Sequence, residues 1–498
     1  MDSDKKLIKQ VMFDTTNKDF CMLTNVKNMP GVFRDISKDI LNNDYLRRQE
    51  TTESNARSYP RKLPFALEQA KGIFLKDVDG NVYYDCLSCA GALALGHNHE
   101  VTHKAINREL INNLPMLTLD ITTPVKEAFV NEIISCLPKE FAENAKIQFC
   151  GPSGSDAVEA AIKLVKIATG RSLIMAFQGG YHGMTNGSLN LMGNTSVKNA
   201  VPGSIADVHF LPYPYMYRCP MGSVDDPDSQ STIRYIENLL NDIESGVTKP
   251  AGIIVEAIQG EGGMIPAPNQ WMKELRRITK EQGIPLIVDE VQTGLGRTGK
   301  FFAFEHSGIV PDVIVLSKAI GGSLPLAVVI YSKKLDKWEP GTHAGTFRGN
   351  QLAMATGTAT IRYIKANKLH EQAARMGDLF IKEFIKIQNI SGSIGDVRGK
   401  GLMIGVEIVN KSIGLNKSGR PESFKTLTLR IQHECFSRGL VLETGGRHSS
   451  VLRFMPPLTI TEQQVKHICE IFQQAILAAE NFIDCIKPIR SKSDVRSL

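Results

Sequence analysis

Short runs of apolar residues alternate with amphipathic stretches through the middle of the chain. Seven such runs lie at residues 146–149, 173–177, 208–211, 252–257, 285–288, 313–316 and 327–331. Between several of them the apolar positions follow a helical period, for example over residues 156–168 and 271–282. Continuous apolar strands joined by crossover helices are typical of a mostly parallel sheet that is covered on both faces. The pattern therefore predicts an α/β fold, with ligands binding at the carboxyl ends of the strands.

A second series of strand-like runs predicts a smaller α+β domain beside this large domain. Residues 72–75 and 81–84 flank an Asp-Gly turn and predict a hairpin. A helical stretch over 351–388 precedes runs at 395–397, 401–408, 440–443 and 451–454, and then a helix over 462–481. We therefore expect a polar arm (1–50), the first part of the small domain (51–110), a large domain (111–370), the rest of the small domain (371–484) and a basic tail (485–498).

The composition of the chain argues against several classes of function. The net charge of +6 is spread along the 498 residues without a basic block large enough to predict nucleic-acid binding. No apolar run is long enough to predict a membrane span. The nine cysteines are odd in number and lie in apolar contexts, which favours a reducing, cytoplasmic location. A lone Cys-x-x-Cys at Cys86 and Cys89 lacks a second pair, so we expect buried thiols and no bound metal.

The first candidate binding element is the turn that follows the run at 146–149. Ser153, Gly154 and Ser155 come between this run and a predicted helix. Small residues at a helix N-terminus allow backbone N–H groups to approach an anion, which is typical of a phosphate site. The alternative is a simple helix cap made by Ser153 or Ser155.

Two charged residues follow neighbouring apolar runs. Asp289 directly follows the run at 285–288. A carboxylate buried at that position needs a cationic partner, such as a protonated ring nitrogen. Magnesium held by Asp289 and Glu290 is the alternative. Lys318 follows the run at 313–316, where desolvation lowers the pKa of an amine toward the range of a nucleophile. A solvated lysine at a strand end is the other interpretation of Lys318.

These segments, in this order, resemble the class III (ω-amino) aminotransferases, which are fold-type I enzymes that depend on pyridoxal 5′-phosphate (PLP). Further similar segments lie at residues 179–183, 256–263, 346–350 and 452–454, and the resemblance covers most of residues 55–480. The resemblance implies PLP as the cofactor. It also implies a homodimer with shared active sites.

The resemblance further implies a role for each matching residue. Lys318 would join the cofactor covalently and then move a proton. The other implied cofactor contacts are Asp289 on the ring nitrogen, Gln292 on the ring hydroxyl, Tyr181 stacked on the ring, Ser153, Gly154 and Ser155 on the phosphate, and Thr346 on the phosphate of the partner subunit. Glu261 and Arg453 would bind substrate: they would pair with each other while a diamine is bound, and Arg453 would hold the α-carboxylate of 2-oxoglutarate in the other half of the reaction.

Four shorter stretches point to a reaction within the family. Residues 54–61, 90–99, 345–351 and 445–447 resemble a branch that moves the γ-amino group of L-2,4-diaminobutyrate to 2-oxoglutarate, giving L-aspartate 4-semialdehyde and L-glutamate reversibly. Ornithine, acetylornithine, 4-aminobutyrate and putrescine stay open as alternative donors. A non-catalytic protein that kept the fold is the alternative from another class.

Overall fold

The structure is a computed structural model that describes residues 43–201, 207–222, 226, 229–416 and 419–486. Residues 1–42 of the predicted arm and 487–498 of the predicted tail lie outside the described residues. None of the described helices combines the length and the apolar content that crossing a membrane requires.

The described residues form helices and strands whose bounds follow. The helices are α1 (Asp44–Thr52), α2 (Glu100–Ile111), α3 (Pro124–Ile134), α4 (Lys139–Ala142), α5 (Gly154–Thr169), α6 (Asn186–Asn190), α7 (Thr195–Lys198), α8 (Gln230–Asn241), α9 (Asn269–Glu281), α10 (Gln351–Ala366), α11 (Leu369–Ile390), α12 (Lys425–Ser437) and α13 (Glu462–Ile486). The strands are β1 (Leu67–Lys71), β2 (Phe74–Asp77), β3 (Val82–Asp85), β4 (Ala145–Phe149), β5 (Ile174–Phe177), β6 (Val208–Leu211), β7 (Gly252–Val255), β8 (Ile258–Gln259), β9 (Ile265–Pro266), β10 (Leu286–Asp289), β11 (Val313–Leu316), β12 (Val328–Ser332), β13 (Ile394–Lys400), β14 (Met403–Leu415), β15 (Pro421–Ser423), β16 (Leu440–Val441), β17 (Glu443–Gly445) and β18 (Val451–Phe454).

A seven-stranded sheet in the order β4-β12-β11-β10-β7-β5-β6 lies at the centre of the fold. All neighbours pair in parallel except β12, which is antiparallel to both β11 and β4. Side chains along β10 alternate between two cores: Leu286 and Val288 belong to one, and Ile287 to the other. The predicted mostly parallel sheet, buried on both faces, is confirmed.

The remaining strands form smaller sheets. The predicted hairpin is confirmed as β2 and β3, which join β1 and, from the far end of the chain, β16. A second small sheet has the order β13-β14-β18-β17. The predicted single strand over 440–443 is wrong, because the backbone passes at Leu442 from the first small sheet to the second. An apolar run does not show which sheet each residue joins, so the sequence could not reveal this break.

Candidate active site

A cavity opens where the strands of the seven-stranded sheet end. Since β4 and β11 are both antiparallel to β12, they run in the same direction, and their carboxyl ends meet at one edge together with those of β5, β7 and β10. The residues that line the cavity are Gly154, Ser155, Tyr181, His182, Gly183, Glu256, Glu261, Asp289, Val291, Gln292, Thr293 and Lys318.

The N-terminus of α5 lies at one end of the cavity. The Ser153 hydroxyl accepts a hydrogen bond from the Asp156 N–H (3.2 Å), so this side chain caps the helix and does not line the cavity. Ser155 does line it, and its hydroxyl accepts a hydrogen bond from the Met184 N–H (3.1 Å). The first N–H groups of a helix have no partner within the helix. Those of Gly154 and Ser155 can therefore bind an anion.

Small residues keep this end of the cavity open. A Cβ atom on Gly183 would lie 2.2 Å from the Ser155 Oγ atom, and one on Gly154 would lie 3.0 Å from a Val291 methyl group. Gly183 also has a φ of +126°, which a residue with a side chain rarely adopts. The turn can thus approach a ligand closely only because these positions lack side chains.

Asp289 lies at the end of β10 with His182 behind it. The two side chains meet at 2.7 Å, between His182 Nδ1 and Asp289 Oδ2, and both are buried. Burial lowers the pKa of His182, but the hydrogen bond and charge of Asp289 outweigh it and raise that pKa overall. Glu290 does not line the cavity, because its carboxylate accepts a hydrogen bond from the Phe304 N–H (3.0 Å).

Glu256 connects two segments of the cavity. It follows β7, and its carboxylate accepts hydrogen bonds from the N–H groups of Tyr181 and Gly260, each at 2.9 Å. Burial raises the pKa of Glu256 to about 7; the charge of Asp289 adds to this rise, and His182 opposes it. Glu256 therefore fixes the segment that carries Tyr181 and the turn that precedes Glu261.

Lys318 follows β11 in the cavity. Its φ of +50° is left-handed, a conformation that costs about 1–3 kcal/mol for a residue with a side chain and is found at functional sites. Burial lowers the pKa of the amine, although Glu261 and Asp289 oppose this effect. A lysine with a lowered pKa is a nucleophile and a proton acceptor.

Gln292 and Tyr181 both line the cavity. Gln292 donates a hydrogen bond from Nε2 to the Ala90 carbonyl (3.0 Å). A Cβ atom on Gly260 would lie 1.9 Å from Gln292 Oε1, so the glycine allows this close approach. Tyr181 remains 37% exposed at the cavity.

Arg453 lies behind Glu261 and contacts two carboxylates. Its guanidinium meets Glu261 at 2.8 Å and Glu443 at 2.5 Å, and Arg453 has no exposed surface. Burial lowers the pKa of Arg453, but the two glutamates outweigh it and raise that pKa overall. Burial likewise raises the pKa of Glu261, yet the charge of Arg453 dominates and lowers it. Glu261 and Arg453 therefore form a charged pair, of which Glu261 lines the cavity.

Thr346 lies outside the cavity. It is exposed on the chain surface beside Phe347, which is 58% exposed. Several other residues of the site were not predicted, among them His182, Glu256 and Glu443. The sequence placed His182 and Glu256 in segments of interest, but it gave no sign that either would contact Asp289 or Tyr181. Glu443 carried no signal of its own.

A family model, described as aminotransferase class III, matches residues 55–476. Two relatives are similar over most of the chain. A diaminobutyrate–2-oxoglutarate aminotransferase of Rhizobium meliloti (strain 1021) is 51% identical over 451 residues, 90% of this chain and 96% of the relative. A protein of the same name from Haemophilus influenzae is 47% identical over 450 residues, 90% of this chain and 97% of the relative.

Solved structures show the same fold. A crystal structure of an amine transaminase from an uncultivated Pseudomonas species, in its PLP-bound form, superposes with a TM-score of 0.76 at 25% identity, covering 86% of this chain and 98% of that one. A transaminase from the marine bacterium Virgibacillus superposes with a TM-score of 0.78 at 22% identity, covering 89% of this chain and 100% of that one.

Proposed function

The chain belongs to the class III aminotransferase family, and from that premise we propose that it transfers the γ-amino group of L-2,4-diaminobutyrate to 2-oxoglutarate. The products are L-aspartate 4-semialdehyde and L-glutamate, and the reaction is reversible. The observation that carries the proposal is the placement of Lys318 and Glu261, with Arg453 behind it, around one cavity. Two relatives that are named for this activity, and are 51% and 47% identical to the chain, support the choice of diaminobutyrate as the donor.

The cavity fits pyridoxal 5′-phosphate, the cofactor that the family and the PLP-bound neighbour imply. The N–H groups at Gly154 and Ser155 suit a phosphate, and the space kept open by Gly183 admits it. When bound, the cofactor supplies a ring that accepts electrons from the substrate. Asp289 suits the ring nitrogen, and Gln292 the ring hydroxyl. Ser153 contributes through the cap of α5.

The side chains at the strand ends have different roles in the proposed reaction. Lys318 would carry the cofactor and, with its lowered pKa, would accept and return the proton of the substrate carbon at its Nζ atom. Asp289 would hold a proton on the ring nitrogen. His182, at 2.7 Å from Asp289, keeps that carboxylate in place. Tyr181 would cover one face of the ring.

Glu261 and Arg453 discriminate between the two substrates. While the amino donor is bound, the ion pair stays closed and presents no free cation to the cavity. When 2-oxoglutarate enters, Glu261 moves aside and the Arg453 guanidinium binds the α-carboxylate with two parallel hydrogen bonds. The same cavity thus binds the amino donor and 2-oxoglutarate in turn.

We also propose that two copies pair into a homodimer with shared sites, in which Thr346 reaches the phosphate of the partner. Exposed apolar side chains support this: Leu110, Ile111, Met116, Leu117, Leu119 and Ile121. Their segment contacts the loop of Thr346 through the ion pair of Asp120 and Arg348 at 2.9 Å. Apolar surface of this kind marks an interface between proteins.

We place the enzyme in the cytoplasm. Seven cysteines are free thiols, and they include Cys86 and Cys89 of the Cys-x-x-Cys pair. Free thiols persist in reducing compartments.

Steady-state assays of the purified enzyme with 2-oxoglutarate test the reaction. Diaminobutyrate is expected to give the highest kcat/KM among diaminobutyrate, ornithine, acetylornithine, 4-aminobutyrate and putrescine, with aspartate 4-semialdehyde as its product. A clear preference for ornithine would contradict the assignment of the donor. Borohydride reduction followed by peptide mapping is expected to place a pyridoxyl label on Lys318, and a label on any other lysine would contradict the assignment of that residue.

A further inference from the structure

Arg453 has a second carboxylate partner that the exchange with Glu261 does not use. Glu443 on β17 lies directly opposite Arg453 on β18 in the register of the two antiparallel strands. Its Oε2 atom lies 2.5 Å from the Arg453 Nη2 atom, whereas Glu261 meets the Nη1 atom. One buried cation is therefore shared by two carboxylates.

The two glutamates differ in how firmly the fold holds them. Glu443 lies on a paired strand, and its side chain is 9% exposed. Glu261 lies in the turn between β8 and β9, next to Gly260, Gly262 and Gly263, and its side chain is 35% exposed. The Glu261 side chain lines the cavity, whereas that of Glu443 does not. Glu261 can leave Arg453 while Glu443 stays.

The charges decide what this difference does. With Glu261 in place, the cluster of two carboxylates and one guanidinium has a net negative charge; with Glu261 away, it is neutral. The other charged groups that act on this cluster are Lys62 and Lys318, which favour the ionised form of Glu261. Burial and then the charge of Glu261 raise the pKa of Glu443, while Arg453 opposes that rise. Departure of Glu261 removes the like charge and strengthens the pair of Glu443 and Arg453.

We propose that Glu443 is a positioning residue that anchors Arg453 and compensates its charge, so that the cavity selects an amino donor with a second ammonium group and releases 2-oxoglutarate readily. The proposal rests on the proposed function of the site. Its first half concerns the donor: a negative cluster attracts the α-ammonium of diaminobutyrate, which 4-aminobutyrate lacks, while the carboxylate is common to both donors. Its second half concerns the acceptor, whose α-carboxylate meets a neutral pair in place of an isolated cation.

The variant Glu443→Gln tests both halves, because it removes the charge and keeps the size of the side chain. The ratio of kcat/KM for diaminobutyrate to that for 4-aminobutyrate is expected to fall about tenfold. The KM for 2-oxoglutarate is expected to fall by about threefold to tenfold, in the opposite sense to the KM for diaminobutyrate. Glutarate, which resembles 2-oxoglutarate but has no keto group to react, should bind more tightly by a similar factor in isothermal titration calorimetry.

Two further variants make the result decisive. Glu443→Asp keeps the charge at a greater distance, so it should shift each quantity in the same direction by less, and it serves if Glu443→Gln does not fold. Glu434→Gln is the matched control, since Glu434 is also buried and paired with two arginines, Arg430 and Arg438, away from the cavity. Glu434→Gln should leave the donor ratio and the glutarate affinity unchanged.

The proposal is overturned if Glu443→Gln lowers kcat/KM equally for both donors and does not tighten glutarate binding. That outcome would make Glu443 a structural partner of Arg453 only. A wild-type preference for another donor would contradict the proposed function instead, and the glutarate titration would still decide the role of Glu443.

Discussion

The cavity has two sides that use the same kinds of charge for different purposes. Its floor, made of Lys318, Asp289, His182 and Glu256, lies at the strand ends of the seven-stranded sheet. Its wall is formed by Glu261 on a glycine-rich turn, and Arg453 and Glu443 of the second small sheet lie behind Glu261. The floor has a lysine, Lys318, and the wall has an arginine, Arg453, and each of these two side chains lies near carboxylates. The pKa of the lysine is lowered, whereas that of the arginine is raised.

This difference separates chemistry from recognition. Burial favours the neutral amine of Lys318, and a neutral amine can attack a carbonyl or accept a proton. Arg453 has no exposed surface, but two carboxylates stabilise its charge, and guanidinium does not lose its proton in proteins. The floor therefore suits steps in which a proton moves. The wall suits steps in which a fixed charge recognises a substrate.

The largest effect is expected from Lys318→Arg, which puts a permanent charge on the floor. An arginine there cannot join the cofactor or accept a proton, so turnover should fall by more than about a thousandfold. Steady-state assays with diaminobutyrate measure this, and retention of the cofactor by the variant is measured from its absorbance. Activity within tenfold of the wild type would show that the two sides do not differ as described.

The reciprocal change, Arg453→Lys, should have a smaller effect. Lysine keeps the positive charge but cannot make two parallel hydrogen bonds to a carboxylate. We expect the KM for 2-oxoglutarate to rise about tenfold, roughly 1.4 kcal/mol, with a smaller change in kcat. Lys400, a lysine outside the cavity, provides a control as Lys400→Arg. A loss as large as that of Lys318→Arg would mean that the wall takes part in the chemistry.

The smallest effect is expected from Glu256→Gln. This variant tests how a residue of the floor makes the free energy of unfolding depend on pH. The pKa of Glu256 rises from 4.5 to about 7 on folding, so the folded state binds more protons than the unfolded state between these values. The free energy of unfolding therefore falls as pH rises through that window, and the contribution disappears in Glu256→Gln. Melting temperatures from pH 4.5 to pH 8 should fall less steeply in the variant.

Glu256→Gln also loses an acceptor for one of two N–H groups, which lowers stability at every pH. The quantity to compare is therefore the slope of melting temperature against pH, and not the melting temperature at a single pH. Glu434→Gln serves again as the control for removal of a buried glutamate. An unchanged slope in Glu256→Gln would contradict the raised pKa.

The local features of the site followed from the sequence. Asp289 and Lys318 were predicted at strand ends because each comes within two residues of the end of an apolar run; Asp289 is the last residue of β10, and Lys318 follows β11 after Ser317. The helix after Ser153 was predicted from its period and its cap, and α5 begins at Gly154. In each case neighbouring residues decide the conformation. The interpretation of Ser153 as a cap was one of the two that the sequence left open, and its side chain does cap the helix.

The sequence by itself determined the order of apolar runs, the turn that opens α5, and which charged residues follow strands, because strand and helix formation depends on short-range patterns. Only the tertiary structure decided which distant groups meet. His182 contacts Asp289 across 107 positions, and Arg453 contacts Glu261 across 192. Glu443 joins them because the backbone changes sheets at Leu442 and places it opposite Arg453. Such contacts depend on how sheets pack in space, and no local pattern encodes them.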